Sequence, residues 1–168
     1  MLGVDPGTAV LGYGVVTTCM ATATRITLVE CGVIRTRADQ SLAVRLAVIF
    51  DGITELLERH RPDAIAVEGL FHGRNARSAL VLGHARGVVL LAATRAGLAV
   101  AEISPAEVKR AVTGTGAATK PQVGAMVMRL LRLAAAPTPA DAADGVAIAL
   151  THVLRLQPRA RMAAVGRR

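Results

Sequence analysis

Four carboxylates stand where a folded chain could gather them: Asp5, Glu68, Asp141 and Asp144. Clustered carboxylates raise one another's pKa and so oppose their own ionisation. A hard divalent cation with oxygen ligands, Mg²⁺ or Mn²⁺, relieves that repulsion. The rest of the chain is basic, with 20 Lys+Arg against 12 Asp+Glu and a net charge of +8. A basic protein suits a polyanion, and an acidic metal site suits phosphoryl chemistry. Together these features imply a metal-dependent nuclease.

Taken singly, each acid has a plainer account. Asp5, followed by Pro6 and Gly7, can be a turn former. Asp141 can be a first-turn carboxylate favoured by a helix dipole. Glu68 is harder to dismiss, because it ends the apolar run from Ala64, where a charge is costly unless used. Asp141 and Asp144 are three apart near a helix start, so they share a face.

Lys109 and Lys120 are the only lysines in a chain otherwise rich in arginine. A compact ammonium can approach a scissile phosphate as a point charge, although an ordinary surface lysine is the simpler reading. Phe71 sits among His72, Arg74 and Arg77. An aromatic in such a basic loop can wedge between unstacked bases, or it can pack in the core. Ala79, Leu80, Gly83, Gly87 and Leu91 lie on a segment apolar nearly all round, which is either deeply buried or faces a partner.

These residues need elements to position them. Leu2–Val4 reads as the end of a first strand. Leu11–Cys19 and Arg25–Arg35, rich in Val, Ile and Thr, read as two more in a meander. Gln40–His60 repeats Leu42, Leu46, Ile49, Ile53, Leu56 and Leu57 on one face and predicts a helix ended by Pro62. Ala64–Glu68 is a strand, Gly69–Arg77 a polar loop, Ser78–Arg95 a helix and Leu98–Ile103 a fifth strand. Ser104 with Glu107, Thr119 with Gln122 and Thr138 with Asp141 predict capped starts for three further helices, each with Pro just inside or nearby. The order β-β-β-α-β-α-β-α-α-α implies an α/β fold: a five-stranded mixed sheet, three antiparallel strands plus two parallel ones, with helices on both faces. Asp5 and Glu68 would then end adjacent parallel strands, where open α/β sheets place their ligand sites.

Composition narrows the rest. A 168-residue chain, 52% hydrophobic, is long enough for one domain with a real core. Aromatics are limited to Tyr13, Phe50 and Phe71, which weighs against single-strand binding by base stacking. Cys19 and Cys31 show no metal or redox spacing, which fits a cytoplasmic protein with free thiols. The most apolar stretch is interrupted by His84 and Arg86, so no membrane span is expected. Arg155, Arg159, Arg161, Arg167 and Arg168 close the chain. The expected boundary puts the domain at residues 1–157 and a basic, disordered tail at 158–168 that brushes phosphates or has no specific role.

The chain resembles the RuvC family of bacterial Holliday junction resolvases, which have a ribonuclease-H-like fold. The resemblance rests on ordered segments: Gly3–Gly7 with Gly12–Val15, Ala66–Phe71, Asn75–Gly87, Ser104–Lys109 with Thr113–Gly116, Lys120–Val123 and Ala140–His152. It implies that Asp5, Glu68, Asp141 and Asp144 are catalytic acids holding two Mg²⁺ ions, with Mn²⁺ as a substitute. It further implies paired nicks in four-way junction DNA, leaving 5′-phosphate and 3′-hydroxyl ends, in recombination and repair. Lys109, Lys120, Phe71, Arg74 and Arg77 fall at the family's DNA-contacting positions. The Ser78–Arg95 helix falls at its homodimer interface, and RuvA and RuvB are the implied branch-migration partners. The chain starts two or three residues short of typical members. Gly69 stands where polar residues are common, and Gly145 stands where Ala is usual. Gly145 is expected to loosen the acid-bearing helix by up to about 1 kcal/mol.

Other readings compete. The actin-like kinase fold also opens on Asp, Gly and a meander, but it needs a second domain for which this length leaves no room. Another ribonuclease-H-like nuclease, acting on RNA–DNA hybrids or of the YqgF type, would differ in substrate. A junction-binding protein without catalysis would need a decayed site, and all four acids are present.

Overall fold

The structure, a computed structural model, describes residues 1–18, 25–69 and 76–165, without the side chains of Arg77 and of residues 157–165. Its elements follow the expected order: β1 (Leu2–Asp5), β2 (Val10–Thr18), β3 (Ile26–Arg35), α1 (Leu42–His60), β4 (Ala64–Glu68), α2 (Ala76–Arg95), β5 (Ala99–Ile103), α3 (Pro105–Thr113), α4 (Lys120–Leu131) and α5 (Ala140–Val165). The strands form one mixed sheet in the order β3-β2-β1-β4-β5. β1 and β2, and β2 and β3, pair antiparallel. β1 and β4, and β4 and β5, pair parallel.

Strand alternation splits the core into two layers. Leu2, Val4, Leu11, Val15, Ile65 and Val67 point to one face and pack with Ile49, Ile53, Leu56 and Leu57 of α1 and Ala85, Val89, Ala92 and Ala93 of α2. Ala66 and Ile103 point to the other face and meet α3, α4 and α5 through Val108, Val112, Val127, Leu131, Val146 and Ile148. Helices therefore cover both faces.

The helix starts are set by side chains, two of them as expected. The Ser104 hydroxyl accepts from the Glu107 amide at 3.3 Å, and Glu107 Oε2 accepts from the Ser104 amide at 2.9 Å. Gln122 Oε1 accepts from the Thr119 amide at 2.8 Å. Three starts differ from the sequence reading, among them that of α2, which begins at Ala76 rather than Ser78 and so takes in Arg77. α1 begins at Leu42 because Ser41, in extended backbone, caps it through the Val44 amide. α5 begins at Ala140, not with Thr138 as its cap. The Thr138–Pro139 bond is cis, and the Pro139 carbonyl accepts from the amides of Ala142 and Ala143.

The α1 helix ends at Arg61, in the left-handed region with φ 41°, directly before Pro62. Its last turn is tied to the sheet through Glu30 of β3, whose carboxylate accepts from Tyr13 Oη at 2.7 Å and Arg59 at 3.0 Å and meets His60 Nε2 at 2.9 Å. α5 is described as far as Val165, past residue 157, where the sequence reading ended the domain. No helix among the described residues is long and apolar enough to cross a membrane.

Candidate active site

Asp5 closes β1 and Glu68 closes β4. The two strands run parallel with Val4 beside Val67, so one further step along each sets Asp5 beside Glu68. Alternation then decides the face. Leu2 and Val4 enter the α1–α2 layer, so Gly3 and Asp5 turn to α5; Ile65 and Val67 do the same, so Ala66 and Glu68 turn to α5 as well.

α5 lies unusually close on that face. A Cβ on Gly12 would run into the carbonyl of Asp141, and one on Gly145 would come 2.6 Å from the Tyr13 backbone. Side chains at either place would lift the helix off the strands. Gly145 therefore acts as a docking residue, and the expectation that it loosens α5 is corrected: what it costs in helix propensity is offset by close packing on β2.

Asp5, Glu68 and Asp144 share one cleft of about 390 Å³ with Lys109 and Lys120. Its walls are Val108 of α3, Val123, Gly124 and Val127 of α4, and Ala143 and Ala147 of α5. Asp141 stands apart. Three residues turn a helix by about 300°, which leaves Asp141 about 60° away from Asp144 and nearly a turn earlier. Its backbone rests on Gly12, and it does not line the cleft, although its charge reaches Lys120. The structure thus gathers three of the four predicted acids and leaves the fourth at the margin. Among the described residues no three His, Cys, Asp or Glu groups stand close enough together to cage a cation unaided.

The electrostatics follow from burial and crowding. Burial, then the charge of Glu68, a hydrogen bond to it and the charge of Asp144, push Asp5 up to about 8, against the opposing charge of Lys120. Glu68 is also raised, by burial first, with the hydrogen bond from Asp5 opposing. Burial and the neighbouring charges thus make each carboxyl of the pair harder to ionise than an isolated acid. Two adjacent carboxyls that resist ionisation even with Lys120 near them have room for further positive charge, and their hard oxygens suit Mg²⁺ or Mn²⁺. The donor set therefore fits a divalent cation.

Lys120, at the start of α4, donates to Asp144 Oδ2 at 2.7 Å. That bond is the main cause of its raised pKa, and the charges of Asp144, Asp5 and Asp141 add to it. Lys109 lines the same cleft from α3 with no ion-pair partner among the described residues.

Phe71 and Arg74 lie outside the described residues, as does the side chain of Arg77. On α2 the buried stripe of Ala85, Val89, Ala92 and Ala93 is matched by an open one. Leu80 and Leu91 are 65% and 54% exposed, and no atom of another element lies within 4 Å of a Cβ built on Gly83 or Gly87. Ala79, Leu80, Gly83, Gly87 and Leu91 line a shallow groove there with Leu46 of α1. A cavity of about 490 Å³ between the ends of α1 and α2, lined by Phe50, Leu57, Arg61 and Arg95, holds only Glu58 as an acid.

Sequence reasoning missed the close seating of α5. The signal was present as Gly3, Gly12, Gly14 and Gly145, but only the strand pairing shows that the first three share a face.

Comparison with known proteins extends these observations. The family model described as crossover junction endodeoxyribonuclease RuvC matches residues 1–152. A crossover junction endodeoxyribonuclease RuvC of Moorella thermoacetica is 51% identical over 152 residues, 90% of this chain and 89% of that protein. One from Chromohalobacter salexigens is 49% identical over 168 residues, 100% of this chain and 88% of that protein. Thermus thermophilus RuvC, solved in complex with a Holliday junction substrate, superposes with a TM-score of 0.88 at 38% identity, over 95% of each chain. The yeast mitochondrial Holliday junction resolvase Ydc2 shares the fold, with a TM-score of 0.64 at 13% identity, over 96% of this chain and 81% of that one.

Proposed function

The chain belongs to the RuvC family of crossover junction endodeoxyribonucleases, and from that premise we propose that it resolves four-way DNA junctions by paired, symmetric, metal-dependent nicks. The observation that carries this reading is the pairing of Asp5 with Glu68 at adjacent parallel strand ends, facing Asp144 across a cleft that also holds two lysines. Asp5, Glu68 and Asp144 would hold Mg²⁺ or Mn²⁺, with Asp141 joining from the margin. Such cations, when bound, activate water and neutralise charge at a phosphodiester. To hold the cation, Asp5 and Glu68 would both have to be ionised, which the cation's charge would favour against burial. Lys109 and Lys120 flank the cleft where they can hold the phosphate backbone. Phe71, Arg74 and Arg77, which follow Glu68 in the sequence, are proposed to contact DNA, Phe71 near the junction centre.

The open stripe of α2 is proposed as a homodimer face. Glycines four apart, flanked by exposed Leu80 and Leu91, allow two such helices to approach closely. A two-fold dimer presents two clefts to two symmetric strands, which is what paired nicking needs. Leu80→Asp should yield monomers in sedimentation and a junction nicked on one strand at a time. Dimers with paired nicks would remove the stripe from the interface. The functional domain is taken as residues 1–157 in the cytoplasm, with 158–168 adding non-specific phosphate contact, and RuvA and RuvB as its partners.

The test is an end-labelled synthetic four-way junction, set against linear duplex and RNA–DNA hybrid, with Mg²⁺, Mn²⁺ or EDTA. The proposal expects symmetric nicks in the junction alone, with either metal and not in EDTA. Preference for the hybrid, or junction binding without nicks in both metals, contradicts it.

A further inference from the structure

Lys120 is in an unusual position for a DNA-contacting residue. Its side chain is largely exposed, yet its ammonium is bonded to Asp144 at 2.7 Å. Lys120 and Asp144 sit on different helices, α4 and α5, and are 24 residues apart in sequence. Its charge acts on Asp5 and Glu68 as well, lowering the pKa of each. Lys120 thus places one positive charge among the acids proposed to bind metal.

We propose that Lys120 is a built-in counter-cation that competes with the divalent metal for Asp144 and yields it when DNA phosphate offers the ammonium another partner. This rests on the proposed metal-dependent function. Two features of the site support it. The Lys120 side chain is 79% exposed against 32% for Asp144, so the ammonium can leave without disturbing the core while Asp144 stays fixed on α5. Lys109 faces the same cleft without an ion pair among the described residues, so the two lysines are not equivalent. The consequence is linkage: a phosphate that draws Lys120 away strengthens metal binding, and metal bound at Asp144 strengthens phosphate binding by the same factor. DNA-free protein would hold its metal weakly and load it fully on substrate.

The test uses the full chain and Mg²⁺ alone, titrated by calorimetry without DNA. Exposed ion pairs of this kind shift equilibria by about two- to fivefold. Lys120→Gln should therefore bind Mg²⁺ about two- to fivefold more tightly than wild type, while Lys109→Gln gains less than half of that. A second readout exploits the presence of only two lysines. In protein labelled at the lysine ε-carbon, one of two NMR signals, assigned by Lys120→Arg, should move on adding Mg²⁺. The same signal should move on adding a four-way junction in EDTA, where nothing is cleaved. Unchanged affinity in Lys120→Gln, an equal gain in Lys109→Gln, or a Lys120 signal indifferent to Mg²⁺ overturns the proposal. Wild type that binds no Mg²⁺ at all overturns the proposed function and this inference together.

Discussion

The two faces of the sheet solve different problems. Toward α1 and α2 the strands present Leu2, Val4, Leu11, Val15, Ile65 and Val67, all nearly or fully buried. Toward α5, β1 and β2 present Gly3, Gly12 and Gly14, and β4 presents Ala66. Bulky side chains supply burial, which is where most folding free energy comes from. Glycines supply almost none, but they let α5 rest on the backbone, and the position of Asp144 relative to Asp5 and Glu68 depends on that seating. One face is built for stability and the other for placement, and the acids emerge only on the second.

Substitutions can separate the two roles. Among substitutions in the packing of the two faces, the largest effect is expected at Gly12, where Ala would force the Asp141 carbonyl and the start of α5 outward. Junction cleavage by Gly12→Ala should fall by about 100-fold, because misplacement by an ångström is costly in an active site. Its stability should fall by about 1–3 kcal/mol, as for other overpacked sites. A variant cleaving at the wild-type rate would show that α5 seating does not position the acids.

Ile65→Ala tests the opposite face. Removing this fully buried side chain should cost about 2–5 kcal/mol in chemical denaturation. Cleavage per folded molecule should stay within about twofold, since the change lies away from the glycine face. A selective loss of rate at unchanged stability would erase the distinction between the faces.

The stability of the acid-bearing face should also depend on pH. In the folded, metal-free protein Asp5 keeps its proton to about 8, against 3.8 for an ordinary aspartate. Between those values the folded chain carries a proton that the unfolded chain has released. This contribution to stability is therefore complete below about pH 3.8, declines as pH rises and is gone above about pH 8. Thermal melts in EDTA should show that decline in wild type and a flatter profile in Asp5→Asn, which has no proton to lose. Identical profiles would mean that Asp5 does not carry the pH dependence.

Much of this was legible in the sequence because hydrophobic alternation and helix periodicity are local. Ala64–Glu68 reads directly as a strand ending in an acid, and the Ser104–Glu107 cap marks α3 to the residue. The meeting of Asp5 and Glu68 follows from strand order once β1 and β4 are neighbours. What the sequence concealed depends on contacts between distant segments. Gly145 read as a weak helix position until Tyr13 stood opposite it. Lys120 read as a phosphate contact until Asp144 was seen to hold it. Asp141 and Asp144 read as a pair because their spacing is helical, yet the seating of α5 sends only Asp144 into the cleft.

The most direct test of the account is Asp5→Asn, which keeps the shape of the side chain and removes its charge. Single-turnover cleavage of a four-way junction should be measured beside junction affinity in the same buffer. The account predicts wild-type binding with cleavage reduced by about a thousandfold or more, as for loss of a group on which the metal chemistry depends. Full cleavage with intact binding would mean that the chemistry does not run through Asp5 and its neighbours, and the site would have to be sought elsewhere on the molecule.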